Sequence, residues 1–153
     1  MKLATALSIV ALFTLAAPLA ATTEGPEVAA ESAALVWLGL LDAGSYAQSW
    51  STASTLFRER TSQSRWHAKV ATGRGQLGAL KSRELRSAVF ARTVPGEPDG
   101  EYVIVKFTSN FAWMDPRRVI ETVTMNDTDG VWRVADYYIA DGQCAVDSAC
   151  LQH

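Results

Sequence analysis

The apolar residues of this chain change their spacing once, near Arg83, and this change limits the possible folds more than any other feature. Before it, apolar side chains recur at the three- and four-residue intervals of helices. After it, they alternate with polar side chains, as in strands with one covered face. Helices followed by strands predict an α+β domain, with about three N-terminal helices packed on one face of a four-stranded antiparallel sheet.

The first half of the chain predicts three helices. The first follows Pro26 and ends near Gly44, which suits the left-handed position after a helix. Ser45 is placed to cap the second helix, and the third begins near Ser62 or Ser64. One side of the second helix carries Tyr46, Trp50, Ala53 and Phe57, and one side of the third carries Trp66, Val70, Arg74 and Leu77.

The second half predicts four strands. Their approximate bounds are 83–93, 100–108, 118–126 and 131–140. Two prolines and two glycines between residues 94 and 100 indicate a turn between the first two strands. The stretch from Asp127 to Gly130 is typical of a hairpin loop between the last two.

The N-terminus has the pattern of a secretory signal peptide. Lys2 precedes an apolar run from Leu3 to Ala17, and small residues follow Pro18. The run is shorter than the roughly 20 apolar residues that a spanning helix needs. We expect cleavage after Ala21, which removes residues 1–21 and leaves no membrane anchor; an uncleaved anchor is the alternative. The mature protein is then periplasmic or secreted, with one domain at 22–140 and a tail at 141–153.

Both cysteines, Cys144 and Cys150, lie in that tail. Export favours a disulfide between them, whereas a reducing compartment would favour a metal or redox pair. So short a loop fastens the tail and contributes little to the stability of the fold.

Charge is divided into blocks along the chain. Residues 22–57 carry four acids and no base, residues 58–92 carry nine bases against two acids, and residues 115–153 carry seven acids against three bases. Such blocks usually face one another inside a compact domain, although a basic face for an anionic partner is the alternative. The formal net charge of -2 lacks the basic excess that nucleic-acid binding requires, so we expect no nucleic-acid partner.

Several stretches in a fixed order resemble an uncharacterised bacterial family, domain of unknown function 4019. They are 37–46 with 49–50, then Trp66, Arg74, 77–78, 82–83, 95–102, Phe107, Phe111, 121–124, 129–134 and 137–139. The chain differs from the family pattern at 112–116 and at Asp136, where a glycine is usual. The resemblance implies an exported bacterial domain, but no activity. The order of elements is also similar to the cone-shaped nuclear transport factor 2-like and cystatin-like folds.

The candidate site rests on charges at apolar positions. Arg74 lies on the apolar side of the third helix, Glu121 on the covered face of the third strand, and Asp136 on the same face of the fourth as Trp132, Val134 and Tyr138. A buried charge is costly unless it is paired, so we expect Arg74 to meet Glu121 or Asp136. The set is either an internal ion pair or the polar floor of a small pocket, whose walls would be Tyr46, Trp50, Trp66 and Trp132.

No assembled catalytic group or cofactor motif is evident in the sequence. Residues 73–78 have the glycine spacing of a dinucleotide site, but a helix precedes them and no parallel strand unit follows, so we expect no cofactor. Metal ligands in a recognised spacing are absent from the sequence. We therefore expect a non-catalytic binding or interaction module of the cell envelope, with a small molecule or an envelope protein as its partner. The alternative is an enzyme that uses Asp136, Glu121 or a tyrosine for acid–base chemistry in an apolar cone.

Overall fold

A computed structural model describes residues 24–142, which form four helices followed by four strands. The sheet is an antiparallel meander in the order β1-β2-β3-β4. This confirms the α+β prediction. The elements are α1 (Pro26–Asp42), α2 (Tyr46–Thr52), α3 (Thr55–Arg60), α4 (Gln63–Gly75), β1 (Leu80–Ala91), β2 (Tyr102–Phe111), β3 (Val119–Thr128) and β4 (Val131–Asp141). The predicted signal peptide at 1–21 and the predicted disulfide between Cys144 and Cys150 lie outside the described residues.

Helix α1 packs its apolar side against the sheet. The buried residues of that side are Ala30, Ala34, Trp37, Leu38 and Leu41. The helix ends as predicted, because Gly44 has φ 72° and Ser45 N–H donates to Leu40 C=O over 2.8 Å. This ending places Asp42 on the last turn, beside the buried Leu41.

The predicted second helix is wrong in one respect, because the chain breaks it into α2 and α3. Ala53 has an extended backbone, and the following Ser54 N–H donates to Val134 C=O of β4 over 2.8 Å. The Ser54 hydroxyl then caps α3 by accepting from Phe57 N–H over 3.2 Å. Ser45, the residue expected to cap α2, makes no side-chain capping bond. A bond to the sheet therefore outweighs the helical periodicity.

The turn between β3 and β4 contains the two residues Asp129 and Gly130. Their φ values are 57° and 75°, the backbone that a tight hairpin requires. Further along β4 the register slips, so that Thr124 pairs with Asp136 while Met125 pairs with Val134. The extra residue, Ala135, forms a β-bulge that changes which face each later side chain of β4 occupies.

The main core lies between the helices and one face of the sheet. Its aromatic part is a cluster of Trp37, Phe57, Trp66 and Tyr137, with ring centroids 4.9 to 6.4 Å apart. Buried indole N–H groups need acceptors, and both tryptophans find one on the buried Ser49: Trp37 donates to its C=O over 2.8 Å and Trp66 to its Oγ over 2.9 Å. Within residues 24–142, no helix has the length and apolar character needed to cross a bilayer.

Candidate functional site

A carboxylate that is fully buried lies at the centre of the site. Glu121 on β3 has an exposed fraction of 0%. Its Oε2 accepts from Arg83 Nε over 2.7 Å and from Ser109 Oγ over 2.5 Å, and its Oε1 accepts from Tyr137 Oη over 2.7 Å. Arg74 Nη2 lies 3.5 Å from Oε1. Each oxygen thus faces two partners, which offsets the large cost of burying the charge.

Asp42 completes the arrangement where it approaches solvent. Its carboxylate accepts from Arg83 Nη1 over 2.7 Å, from Arg83 Nη2 over 3.1 Å and from Arg74 Nη2 over 2.8 Å. The bond to Arg83 is bidentate, the strongest geometry for such a pair. The Asp42 side chain is 23% exposed, against 6% for Arg74 and 8% for Arg83. We call the set of Asp42, Arg74, Arg83, Ser109, Glu121 and Tyr137 the charge network.

The two carboxylates and two guanidinium groups of the charge network carry no net charge together. Burial by itself would lower the pKa of Arg83, but its hydrogen bonds to Asp42 and Glu121 outweigh burial and raise that pKa. Burial and the neighbouring Glu121 carboxylate raise the pKa of Tyr137 well above 10.0. The network is therefore an arrangement of fixed charges around a neutral phenol.

Arg74 is held less completely than Arg83. Its guanidinium carbon lies 5.1 Å from the centroid of the Phe111 ring, a favourable cation–π contact. Its Nε is buried and has no hydrogen-bond partner among the described residues. Arg74 lies inward, as the sequence predicted, and it forms a salt bridge with Glu121, but its hydrogen bond goes to Asp42.

Asp136 does not lie on the covered face, so this part of the prediction is wrong. It is exposed, and its Oδ1 accepts from the N–H of Tyr137 over 2.8 Å. The bulge at Ala135 turns Asp136 and Tyr138 away from the core and turns Tyr137 into it. Tyr138, which was expected to share the inward face with Trp132 and Val134, is 48% exposed.

The four aromatic residues expected to form one wall are spread over different places. Trp66 belongs to the buried aromatic cluster, and Trp50 donates its indole N–H to Thr61 C=O over 2.6 Å. Trp132 lines a cleft beside α1, whereas Tyr46 lines a groove near Asp42. Of the predicted set, Arg74 and Glu121 form a salt bridge of 3.5 Å. Arg74 also lines the groove near Asp42 together with Tyr46, and a second cleft together with Trp66.

Sequence reasoning missed four members of the charge network: Asp42, Arg83, Ser109 and Tyr137. The sequence around Asp42 indicates the end of a helix. The signal that could have found this residue is its position four residues after the buried Leu38, at the edge of the apolar stripe of α1. Arg83 pairs with Ser109 across β1 and β2, which puts both on the face of Glu121. The inward position of Tyr137 depends on the bulge, for which the sequence carries no evident signal.

Three clefts of similar size adjoin these elements. One, of about 250 Å³, lies between α4 and β4 and is lined mainly by Trp66, Val70, Tyr138 and Ile139. A second, of about 360 Å³, lies between α1 and the β3–β4 hairpin. The third, of about 240 Å³, is the one that Asp42 lines, and we call it the Asp42 groove. Its other lining residues are Leu41, Tyr46, Arg74, Gly75, Gly78, Ala79, Leu80, Phe111 and Trp113.

Comparison with known proteins gives one match. The family described as "Protein of unknown function (DUF4019)" matches residues 33–137. The chain belongs to this family. The matched stretch contains every residue of the charge network and all those that line the Asp42 groove. Neither the curated proteins nor the solved structures gave a significant match.

The chemistry available to the charge network is limited by its own hydrogen bonds. A general acid or base must reach the substrate with a proton to give or take, but Glu121 is buried and each of its oxygens is already engaged. In residues 24–142 no three His, Cys, Asp or Glu side chains are grouped so as to hold a metal ion. The geometry is that of a rigid polar core that meets two surface clefts. Asp42 and Arg74 line the Asp42 groove, and Arg74 and Tyr137 line the cleft between α4 and β4.

Proposed function

We propose that this chain is a non-catalytic binding module that works outside the cytoplasm, in the bacterial cell envelope. The observation that carries the proposal is the complete engagement of Glu121, the most buried carboxylate of the core, by Arg83, Ser109 and Tyr137. A carboxylate in acid–base catalysis needs an open route to its substrate. Here the charges hold the elements together, which leaves the surface grooves for binding.

The alternative, an enzyme with a catalytic carboxylate in an apolar cone, has less support. Asp136 points away from the core, and its carboxylate accepts from the adjacent N–H of Tyr137. Asp42 is partly exposed, but two guanidinium groups hold its charge. Its oxygens already accept three hydrogen bonds from those groups.

We also propose that the fold is a cone of the nuclear transport factor 2-like or cystatin-like type. Two features support this. Within residues 24–142 all helices precede the meander, and α1 packs on all four strands. Register shifts in β1 and β4 increase the local twist, which helps a sheet to curve around a helix.

Export is tested by expressing the full chain in a bacterial host and measuring the intact mass of the protein in the periplasmic fraction. We expect a chain that begins at Thr22, with both cysteines, Cys144 and Cys150, oxidised and unreactive toward a thiol reagent until reduced. A chain that keeps residues 1–21 and stays with the membrane or in the cytoplasm would refute the proposed location.

The binding role is tested with that periplasmic protein and its Glu121→Gln variant. Native mass spectrometry is used to detect a co-purified molecule, and the isolated complex is then incubated with an excess of the same molecule. A binding module leaves the molecule chemically unchanged. Any turnover by the wild type would identify an enzyme instead, and loss of that turnover in Glu121→Gln, at equal retention of the molecule, would assign the reaction to Glu121.

A further inference from the structure

We propose that the Asp42 groove binds a neutral saccharide, with one pyranose ring stacked on Trp113 and a ring hydroxyl donating to Asp42. This inference rests on the proposed binding role and gives it a ligand class. Three observations carry it: an indole that is fixed yet exposed, a carboxylate with spare accepting capacity, and a floor without net charge.

Trp113 lies flat against the backbone of Gly78. A β-carbon at Gly78 would be 2.9 Å from both Cγ and Cδ2 of the indole and 3.1 Å from Cδ1. Nearly equal distances to three adjacent ring atoms mean that Gly78 faces the plane of the ring and not its edge. Trp113 is nevertheless 71% exposed. One face of the indole is therefore supported by the protein and the other is available to a ligand.

The backbone around Trp113 is fixed to the segment that joins α4 to β1. Trp113 N–H donates to Leu77 C=O over 3.0 Å, and Ala112 N–H donates to Ala79 C=O over 2.8 Å. A salt bridge of 3.0 Å joins Asp115 to Lys81 at the start of β1. A large apolar side chain that is exposed and also anchored loses little conformational entropy when it binds a ligand. Tryptophan held in this way is well suited to recognition.

Asp42 keeps the capacity to accept one more hydrogen bond. An ionised carboxylate offers about four lone-pair sites, and Arg74 and Arg83 occupy three of them, two on Oδ1 and one on Oδ2. The side chain is 23% exposed and lines the groove together with the phenol of Tyr46. A hydroxyl group of a ligand is thus a suitable donor to Oδ2.

The charge of the groove favours a neutral ligand. The Asp42 carboxylate is already paired with two guanidinium groups, so a cationic ligand would compete with Arg74 and Arg83. Those guanidinium groups are in turn neutralised by Asp42 and Glu121, so an anion gains little. A pyranose meets these conditions, since its axial C–H groups form an apolar face for the indole and its hydroxyls form hydrogen bonds without carrying charge.

The size of the groove fits one ring. Its volume of about 240 Å³ is below the roughly 300–1,000 Å³ of pockets that enclose drug-sized ligands. The other two clefts lack this combination of an exposed aromatic platform and a carboxylate. The cleft beside β4 is lined by Lys69 and Arg74 as its charged residues, and the cleft beside α1 by Arg133.

The test is a glycan array probed with the mature protein, followed by NMR titration with the best-binding oligosaccharide. The array contains neutral hexose and N-acetylhexosamine chains, uronic-acid chains and amino-sugar chains. We expect binding to the neutral chains. In the titration we expect the indole N–H signal of Trp113, which the Trp113→Phe spectrum identifies among the five tryptophans, to shift most.

Three variants separate this site from the rest of the surface. Trp113→Ala should weaken binding about tenfold, and Trp113→Phe less, because the aromatic face is what stacks. Gly78→Ala should also weaken binding without removing any side chain of the groove, because its methyl group displaces the indole and strains a backbone with φ 76°. The matched control is Tyr138→Ala, an exposed aromatic residue in the cleft beside β4, and it should bind as the wild type does. Circular dichroism and thermal melts establish that each variant is folded.

The remaining outcomes overturn the inference. Equal binding by Trp113→Ala and the wild type would show that the site lies elsewhere, and a preference for uronic acids or amino sugars would refute the charge argument. Binding of a planar heteroaromatic probe such as adenosine in place of all glycans would refute the saccharide class. If nothing on the array binds, the saccharide inference fails. The proposed binding role would still be supported if the exported protein retains another molecule and leaves it chemically unchanged.

Discussion

Glu121 and Asp42 hold the same two arginines from opposite sides, and they do so with different exposure. Glu121 is sealed in the core, whereas Asp42 is 23% exposed and lines a groove. Removing the fully buried Glu121 would leave an uncompensated charge in a region of low dielectric constant. Removing Asp42 would leave a charge that the nearby water partly screens. The two carboxylates should therefore differ in their contribution to the free energy of unfolding.

Glu121→Gln should destabilise the protein by about 3–5 kcal/mol, because it removes one charge of a buried, hydrogen-bonded set. Urea unfolding followed by circular dichroism gives the free energy. The control is Glu101→Gln, which breaks an exposed pair with Arg92 at 3.8 Å and should change the free energy by less than about 0.5 kcal/mol. Similar effects for the two variants would contradict the structural role given to the network.

Tyr137 makes the free energy of unfolding depend on pH in the alkaline range. Burial and Glu121 raise the pKa of its phenol in the folded state above 10.0. Above that pH the unfolded chain loses this proton while the folded chain keeps it, so the free energy of unfolding falls as pH rises. The stabilisation that Tyr137 contributes is complete below pH 10. It is lost progressively as the pH rises from there to the folded-state pKa.

Tyr137→Phe should remove this part of the alkaline decline, and at neutral pH it should cost about 1.5–3 kcal/mol because a hydrogen bond to a charged group is lost. The measurement is the free energy of unfolding in urea at intervals from pH 8 to about pH 11, above the ordinary tyrosine pKa. Tyr138→Phe, a change in the half-exposed neighbour on the opposite face of β4, should leave the decline as in the wild type. An unchanged slope in Tyr137→Phe would refute the assignment.

At the scale of elements, the break between α2 and α3 fixes the helices to the sheet. Ser54 is buried; its N–H donates to Val134 C=O of β4, and its hydroxyl caps α3. Ser54→Ala should therefore cost about 1–2 kcal/mol in the free energy of unfolding. Ser45 occupies the equivalent position before α2 but makes no capping bond with its side chain. Thermal melts of Ser45→Ala should therefore show little change. Equal losses of stability in the two variants would mean that the capping bond of Ser54 does not contribute to the stability of the protein.

The helices and strands also show how much of the fold could be predicted from the sequence. Local periodicity predicted α1, α4 and four strands, including β3, which is buried on both faces from 119 to 126. It failed at Ser54 and at Ala135, where contacts between distant segments decide the backbone. Because the bulge reverses the faces of β4, the inward group there is Tyr137 and not Asp136. A reader of the sequence could infer that Arg74 needs a carboxylate, but not that Asp42 supplies it.

At the scale of the whole molecule, two ion-pair systems tie together different parts of the chain. The charge network joins α1 and α4 to all four strands, because its six residues come from all of these elements. The second system is a bidentate pair between Arg60 at the end of α3 and Glu97 in the β1–β2 connection. Glu97 is only 5% exposed in its side chain, and its hydrogen bond raises the pKa of Arg60. The first system stabilises the core, and the second fixes a peripheral connection.

This division predicts two levels of opening in native-state hydrogen exchange. In Glu97→Gln, amides of the β1–β2 connection, such as Gly100 N–H bonded to Arg92 C=O at 3.1 Å, should exchange about tenfold faster, as expected when a hydrogen bond to a charged group is weakened by about 1.4 kcal/mol. Amides at the centre of β3 should exchange as in the wild type, because they open only when the charge network is broken. Glu121→Gln is the complementary variant and should speed exchange in both regions. Faster exchange in β3 of Glu97→Gln would show that the connection and the core open as one unit.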